Sequence, residues 1–222
     1  SPSKNFIKKQ QEIKIINLSK IISQNNIDRI DINNAKHLGY VIKQLAVAEV
    51  VNQKLIQRVY PCMIKKTSYI SNINGVLNAV IVEGDPIGKF TIQGEGAGPG
   101  PTSSALMSDL LSILRGNIKF PFGIPYNKRK TVSFYDKNQN FNSLYLRFEV
   151  KDRPGVLSQI TKQLAKYKIS IERLIQIPDH RRKRASIVII THKSKELNSD
   201  KCLKSFKSNK NVLKNPTIIR LF

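Results

Sequence analysis

After residue 143 the sequence alternates between two hydrophobic periods in an order that few folds accommodate. A strand-like run spans residues 144–150, and a helical pattern over 154–168 places Val156, Leu157, Ile160 and Leu164 on one face. Strand-like runs at 169–177 and 185–191 follow, then a helix over 195–207 and a last strand over 217–222. The order βαββαβ predicts a split βαβ, ferredoxin-like unit of about 80 residues.

The preceding residues follow other patterns. Ile27, Ile30, Ala35 and Leu38 stand at helical spacing before Gly39, which suits a short helix over 27–39 closed by a C-terminal glycine. β-Branched runs at 41–47 and 54–64 flank Asn52-Gln53 and predict a hairpin. Two further strands, 76–83 and 89–93, are joined by the turn sequence Gly84-Asp85-Pro86. Residues 41–94 therefore read as one antiparallel sheet, and residues 13–22 as a strand or two. A glycine-rich stretch, Gly94 to Thr102, then feeds a helix of about four turns. Its apolar residues are Ala105, Leu106, Leu110, Ile113 and Leu114, with Pro101 suited to the first turn and Gly116 at the end. Residues 117–142, with Pro121, Gly123 and Pro125, read as a linker or extended crossing segment. The expected class is α+β. An antiparallel sheet with helices occupies 1–120, a linker 121–142, and the βαββαβ unit 143–222.

Composition works by exclusion. With 222 residues of which 40% are hydrophobic, the chain can bury a core. No apolar run approaches the roughly 18–20 residues that cross a bilayer, so no membrane partner is expected. The start, Ser1-Pro2-Ser3, has neither an initiator Met nor an apolar signal region and reads as cut from a longer chain. Cys62 and Cys202 lack metal-ligand spacing and suit a reducing, cytoplasmic setting. His37, His180 and His192 are scattered, so no metal site is expected. The net charge of +23 invites a nucleic-acid reading. Yet the basic residues are spread along the chain, and only Arg181-Arg182-Lys183-Arg184 is dense. Interleaved aromatics are missing. The excess reads as solvated surface, with no specific nucleic-acid partner.

Three blocks carry a resemblance. They are His37-Leu38-Gly39-Tyr40-Val41 onward; Asn72-Ile73-Asn74-Gly75-Val76 with Val82-Glu83-Gly84-Asp85; and Gly94-Glu95-Gly96-Ala97-Gly98 with Pro101-Thr102. In order and spacing they resemble the catalytic region of bacterial homoserine dehydrogenases. Leu146 to Leu157, including Asp152-Arg153-Pro154-Gly155, and Ile169-Ser170-Ile171-Glu172 resemble an ACT domain, the amino-acid-sensing module some of these enzymes carry at the C-terminus. The resemblance implies an NAD(P)-dependent oxidoreductase of amino-acid biosynthesis, interconverting L-homoserine and L-aspartate 4-semialdehyde on the route to threonine and methionine. It implies allosteric feedback, most plausibly by threonine, and a homo-oligomer built through the sheet and the ACT domain. The family's Rossmann domain, catalytic lysine and homoserine-holding acids lie upstream of the Leu38-Gly39-Tyr40 block. No catalytic residue is therefore assigned here, Lys43 included, and the isolated chain is expected to be inactive. A free-standing ACT-type regulator is the alternative.

The resemblance places Gly96, Ala97, Gly98 and Thr102 on the cofactor-facing wall. Glycines allow close backbone approach, and a helix start offers free N–H groups to phosphate or amide oxygens. The plainer alternative is a tight strand-to-helix turn. Asn74, Asn78, Glu83 and Asp85 read as strand-surface and turn residues, and Asp109 as helix surface. In the ACT-like unit, Asp152, Pro154, Gly155 and Val156 are the candidate effector site. Asp152 is expected to accept from free N–H groups of the helix start, which would also hold an amino acid's carboxylate. Here the alternative is a capping device without ligand.

Overall fold

The computed structural model describes residues 27–86, 88–117, 123, 125–129, 131–179 and 181–222. The strands expected at 13–22 lie outside the described residues. The chain divides into two compact units, described residues 66–132 and residues 27–65 with 133–222. The class is α+β, as the patterns predict.

The larger unit is built on a six-stranded sheet. Its βαββαβ part comprises β6 (Leu144–Lys151), α3 (Val156–Lys166), β7 (Ile171–Asp179), β8 (Arg184–Thr191), α4 (Glu196–Ser205) and β10 (Thr217–Leu221). The strands lie in the order β10-β6-β8-β7, all antiparallel to their neighbours. That is the arrangement the element order dictates. Inward residues of period two meet the helices: Leu144, Leu146, Phe148 and Val150 from β6 pack with Val156, Ile160 and Leu164 of α3 and with Cys202 and Phe206. Phe148 and Phe206 meet edge to face at 4.9 Å.

The opposite sheet face carries Tyr145, Val188, Ile190 and Ile219, packed with Ala35, Tyr40 and Met63. The helix α1 (Arg29–His37) is the cover. Gly39, at φ +84°, turns the chain out of it into β1 (Tyr40–Val51). β1 pairs with β2 (Lys54–Lys65) through a two-residue turn whose Asn52 and Gln53 both have positive φ, the twist a tight hairpin requires.

β2 does not continue into a single sheet over 41–94. Its free edge pairs in parallel with β10, at Cys62–Arg220 and Met63–Leu221, so the first hairpin extends the C-terminal sheet. The sheet thus runs across the division expected at 121–142. Part of that stretch also joins this unit: Leu55 bridges to Phe134, and β5 (Phe141–Asn142) pairs with β9 (Ser194–Lys195). The physical reason is edge satisfaction, since an exposed strand edge takes whichever apolar-faced partner the chain can bring alongside.

The smaller unit has its own two-stranded sheet, β3 (Leu77–Gly84) and β4 (Gly88–Glu95), followed by α2 (Pro99–Leu114). Val80 faces Ile92 and Val82 faces Phe90 across the hairpin, yet all four are exposed. No residue of α2 is buried either, and Leu106, Met107, Leu110, Ile113 and Leu114 all stand open. None of the described helices is long and apolar enough to cross a membrane.

Candidate cofactor-facing loop and effector loop

The glycine-rich segment leaves β4 at Glu95 and enters α2 at Pro99, two residues earlier than the position of Pro101 suggests. Gly96, Ala97, Gly98 and Thr102 are all exposed. Gly98 is the N-cap at φ +122°, a region that side-chain-bearing residues avoid. Gly96 answers a different demand. A Cβ there would sit 1.6 Å from Nδ2 of Asn78, so the Asn78 amide fills the space that glycine vacates. Asn78, expected on a strand surface, would have to turn its amide aside for any larger residue at 96.

The helix start offers fewer donors than expected. Pro99 and Pro101 have no N–H, and the Thr102 N–H is bonded to the Gly98 carbonyl at 3.2 Å. Gly100 is left as the amide of the first turn open to a ligand, and nothing lies within 4 Å of a Cβ built there. The backbone is thus bare at Gly98 and Gly100, while the Asn78 amide occupies the space beside Gly96.

The candidate effector loop joins β6 to α3. Asp152, Pro154, Gly155 and Val156 share the lining of one concavity of about 420 Å³ with Arg153 and Gln176. Gly155, at φ +84°, is the N-cap of α3. The capping role expected of Asp152 is not realised, because α3 has no side-chain cap. The helix begins after Gly155, three residues on, and the loop is held instead by the Asp152 N–H to the Lys183 carbonyl at 3.1 Å. Val156 spends its side chain in the core, so only its backbone faces the concavity. The amides at the start of α3 remain the groups suited to a carboxylate.

The strongest electrostatic feature was not legible as a site. Arg147 is 1% exposed on the α1 side of β6, between apolar neighbours. Its Nε and Nη2 reach Asp31, itself 0% exposed, at 2.6 and 2.9 Å. Nη1 donates to Glu149 at 2.7 Å, and Nη2 also to Asp28 at 2.9 Å and Thr217 at 3.1 Å. The Tyr145 hydroxyl donates to Asp31 at 2.8 Å and accepts from Asn34 at 3.0 Å. Burial works against the Arg147 charge, but the bonds to Asp31 and Asp28 outweigh it and hold the group above its ordinary pKa. Asp28 is held below its ordinary value by Arg147, with Lys214 adding to the effect. Asp28 and Asp31 also cap α1 reciprocally, with the Asp28 N–H to Asp31 Oδ2 at 2.8 Å. A charged residue inside the apolar run 144–150 was the available signal.

The network anchors α1 to the sheet. Residues 144–209 match the ACT domain family model. Residues 4–111 match the model described as Homoserine dehydrogenase, and the chain belongs to the homoserine dehydrogenase family. It is 33% identical over 213 residues to the homoserine dehydrogenase of Helicobacter pylori, covering 96% of this chain and 49% of that one. Identity to the Neisseria gonorrhoeae homoserine dehydrogenase is also 33%, covering 88% and 46%. A solved homoserine dehydrogenase from Thiobacillus denitrificans superposes with TM-score 0.75 at 30% identity, over 88% of this chain and 46% of that one. The Staphylococcus aureus enzyme at pH 7.0 shares the fold, with TM-score 0.56 at 24% identity, over 94% and 49%. The chain thus spans about half the length of these relatives.

Proposed function

We propose that this chain is the substrate-side framework and feedback module of a homoserine dehydrogenase. The full reaction is the NAD(P)-dependent interconversion of L-homoserine and L-aspartate 4-semialdehyde in the cytoplasm. The bound dinucleotide supplies hydride chemistry; residues of this chain contribute the backbone of Gly98 and Gly100, with Ala97 and Thr102 beside them, as one wall of its site. The observation that carries the reading is the bare backbone entering α2 at a positive-φ glycine, in a helix whose leucine, isoleucine and methionine side chains are 40–72% exposed. Such a surface is built to be covered. A free-standing sensor would have no use for it.

The ACT domain binds an amino acid, threonine being the expected effector, in the concavity of Asp152, Pro154, Gly155 and Val156. The outer strand β7 exposes Leu174, Ile175 and Ile177 and offers its free edge to a second copy, so effector binding and self-association are thermodynamically linked. Threonine at about a hundred times its dissociation constant stabilises a protein by ~2.7 kcal/mol, and a thermal-shift titration against the other aspartate-derived amino acids reads it. A flat response to all of them removes the sensing role. The chain alone is expected to give no homoserine-dependent reduction of NAD(P), and turnover by it would refute the division of labour.

A further inference from the structure

The densest basic run of the sequence, Arg181 to Arg184, is gathered by the fold into a hollow that adjoins the effector concavity, sharing Lys151, Asp152 and Arg153 with it, while Arg182, Lys183 and Arg184 belong to the hollow alone. Lys151, Arg153, Arg182, Lys183 and Arg184 line a hollow of about 400 Å³ at the turn between β7 and β8. Asp152 is the one acidic residue of the lining, and Leu213 completes it. Two features there cost stability. Lys151 and Arg184 are direct cross-strand partners, a like-charge pairing that a sheet disfavours and that Asp179, opposite Arg184 on the other side, offsets in part. Lys183 adopts φ +50°, which side-chain-bearing residues rarely take, while its carbonyl is tied to the Asp152 N–H. Among the described residues the cations of this hollow have one ion pair, Arg182 to Asp179 at 3.9 Å and well exposed.

We propose that this hollow is a binding site for a compact polyphosphate, such as tripolyphosphate or the phosphate chain of a nucleotide. A multiply charged anion relieves the repulsion between Lys151 and Arg184, and arginine guanidinium groups bind phosphate oxygens in pairs. The size of the hollow suits a short phosphate chain and not a duplex. Among the described residues the groups it presents are guanidinium and ammonium cations, which suit phosphate oxygens.

The test is calorimetric titration of the purified chain with inorganic tripolyphosphate at low salt. Saturable one-site binding is expected, weakened about tenfold or more, the equivalent of ~1.4 kcal/mol, by Arg182→Ala/Arg184→Ala. Arg153→Ala, on the other loop, should weaken it independently. Neutralising Lys162 and Lys166, exposed on α3, should leave it within about twofold. Equal loss in both double variants would make the binding a general charge effect and overturn the proposal, as would absence of saturation. Equal affinity for sulfate would overturn it too. A single-stranded oligonucleotide that binds more tightly than tripolyphosphate and depends on Arg182 and Arg184 would replace it with nucleic-acid binding.

Discussion

Removing the carboxylate of Asp31 should uncouple α1 from the sheet, and the structure sets the scale. Asp31 accepts from Arg147 at 2.6 and 2.9 Å and from Tyr145 at 2.8 Å, all buried, and from its own helix cap at 2.8 Å, which is partly buried. Breaking a buried ion pair from one side costs about 3–5 kcal/mol, because the surviving charge stays buried. In Asp31→Ala the surviving Arg147 keeps Glu149 and Asp28, both partly exposed, so a loss near ~3 kcal/mol is expected. Arg147→Met leaves Asp31 with no cation and should cost more, toward ~5 kcal/mol. The double variant should lose less than the sum of the two, since both charges leave together. Urea unfolding at neutral pH, followed by circular dichroism, measures all three. A loss under ~1 kcal/mol in Asp31→Ala, or strict additivity in the double variant, would refute the reasoning.

Three further outcomes are expected. Asp28 has its folded pKa held below the ordinary 3.8, first by its hydrogen bond to Arg147 and then by Lys214. Its contribution is therefore complete above 3.8 and lost as pH falls through the lower folded value, so the urea midpoint should drop on acidification below 3.8, less steeply in Asp28→Asn. Burial pushes the thiols of Cys62 and Cys202 up to about 12, so at pH about 8 both should resist a thiol reagent in the native chain and react once unfolded in guanidinium; rapid native labelling would contradict this. Gly155→Ala meets no atom within 4 Å, so its cost is conformational alone, about 1 kcal/mol in thermal or urea unfolding, and Gly155→Asn should cost less.

The local elements were legible because their signals are local. The face Val156, Ile160, Leu164 specified α3, and the positive-φ pair Asn52 and Gln53 sits where the sequence placed a hairpin turn. The bare glycines before α2 were legible as well, and Gly98 does cap that helix. What could not be read is what Gly96 faces, since the amide that fills its space comes from Asn78 on the neighbouring strand. Nor did a helix signal at Pro101 reveal that Pro99 begins the helix, so that the two prolines together remove two of its free amides. Asp152 resembled a cap in sequence, but the backbone places the helix start beyond its reach.

Periodicity, turn residues and the order of elements were enough to determine the α+β class and the βαββαβ unit, because each depends on residues a few positions apart. Tertiary structure alone decided that β2 would lie along β10 and that Arg147 would meet Asp31, 116 positions away. Strand edges and buried charges carry no address in the sequence. Each is satisfied by whatever partner the completed fold brings within about 3 Å, and that partner is fixed only when the two sheet faces close over their cores.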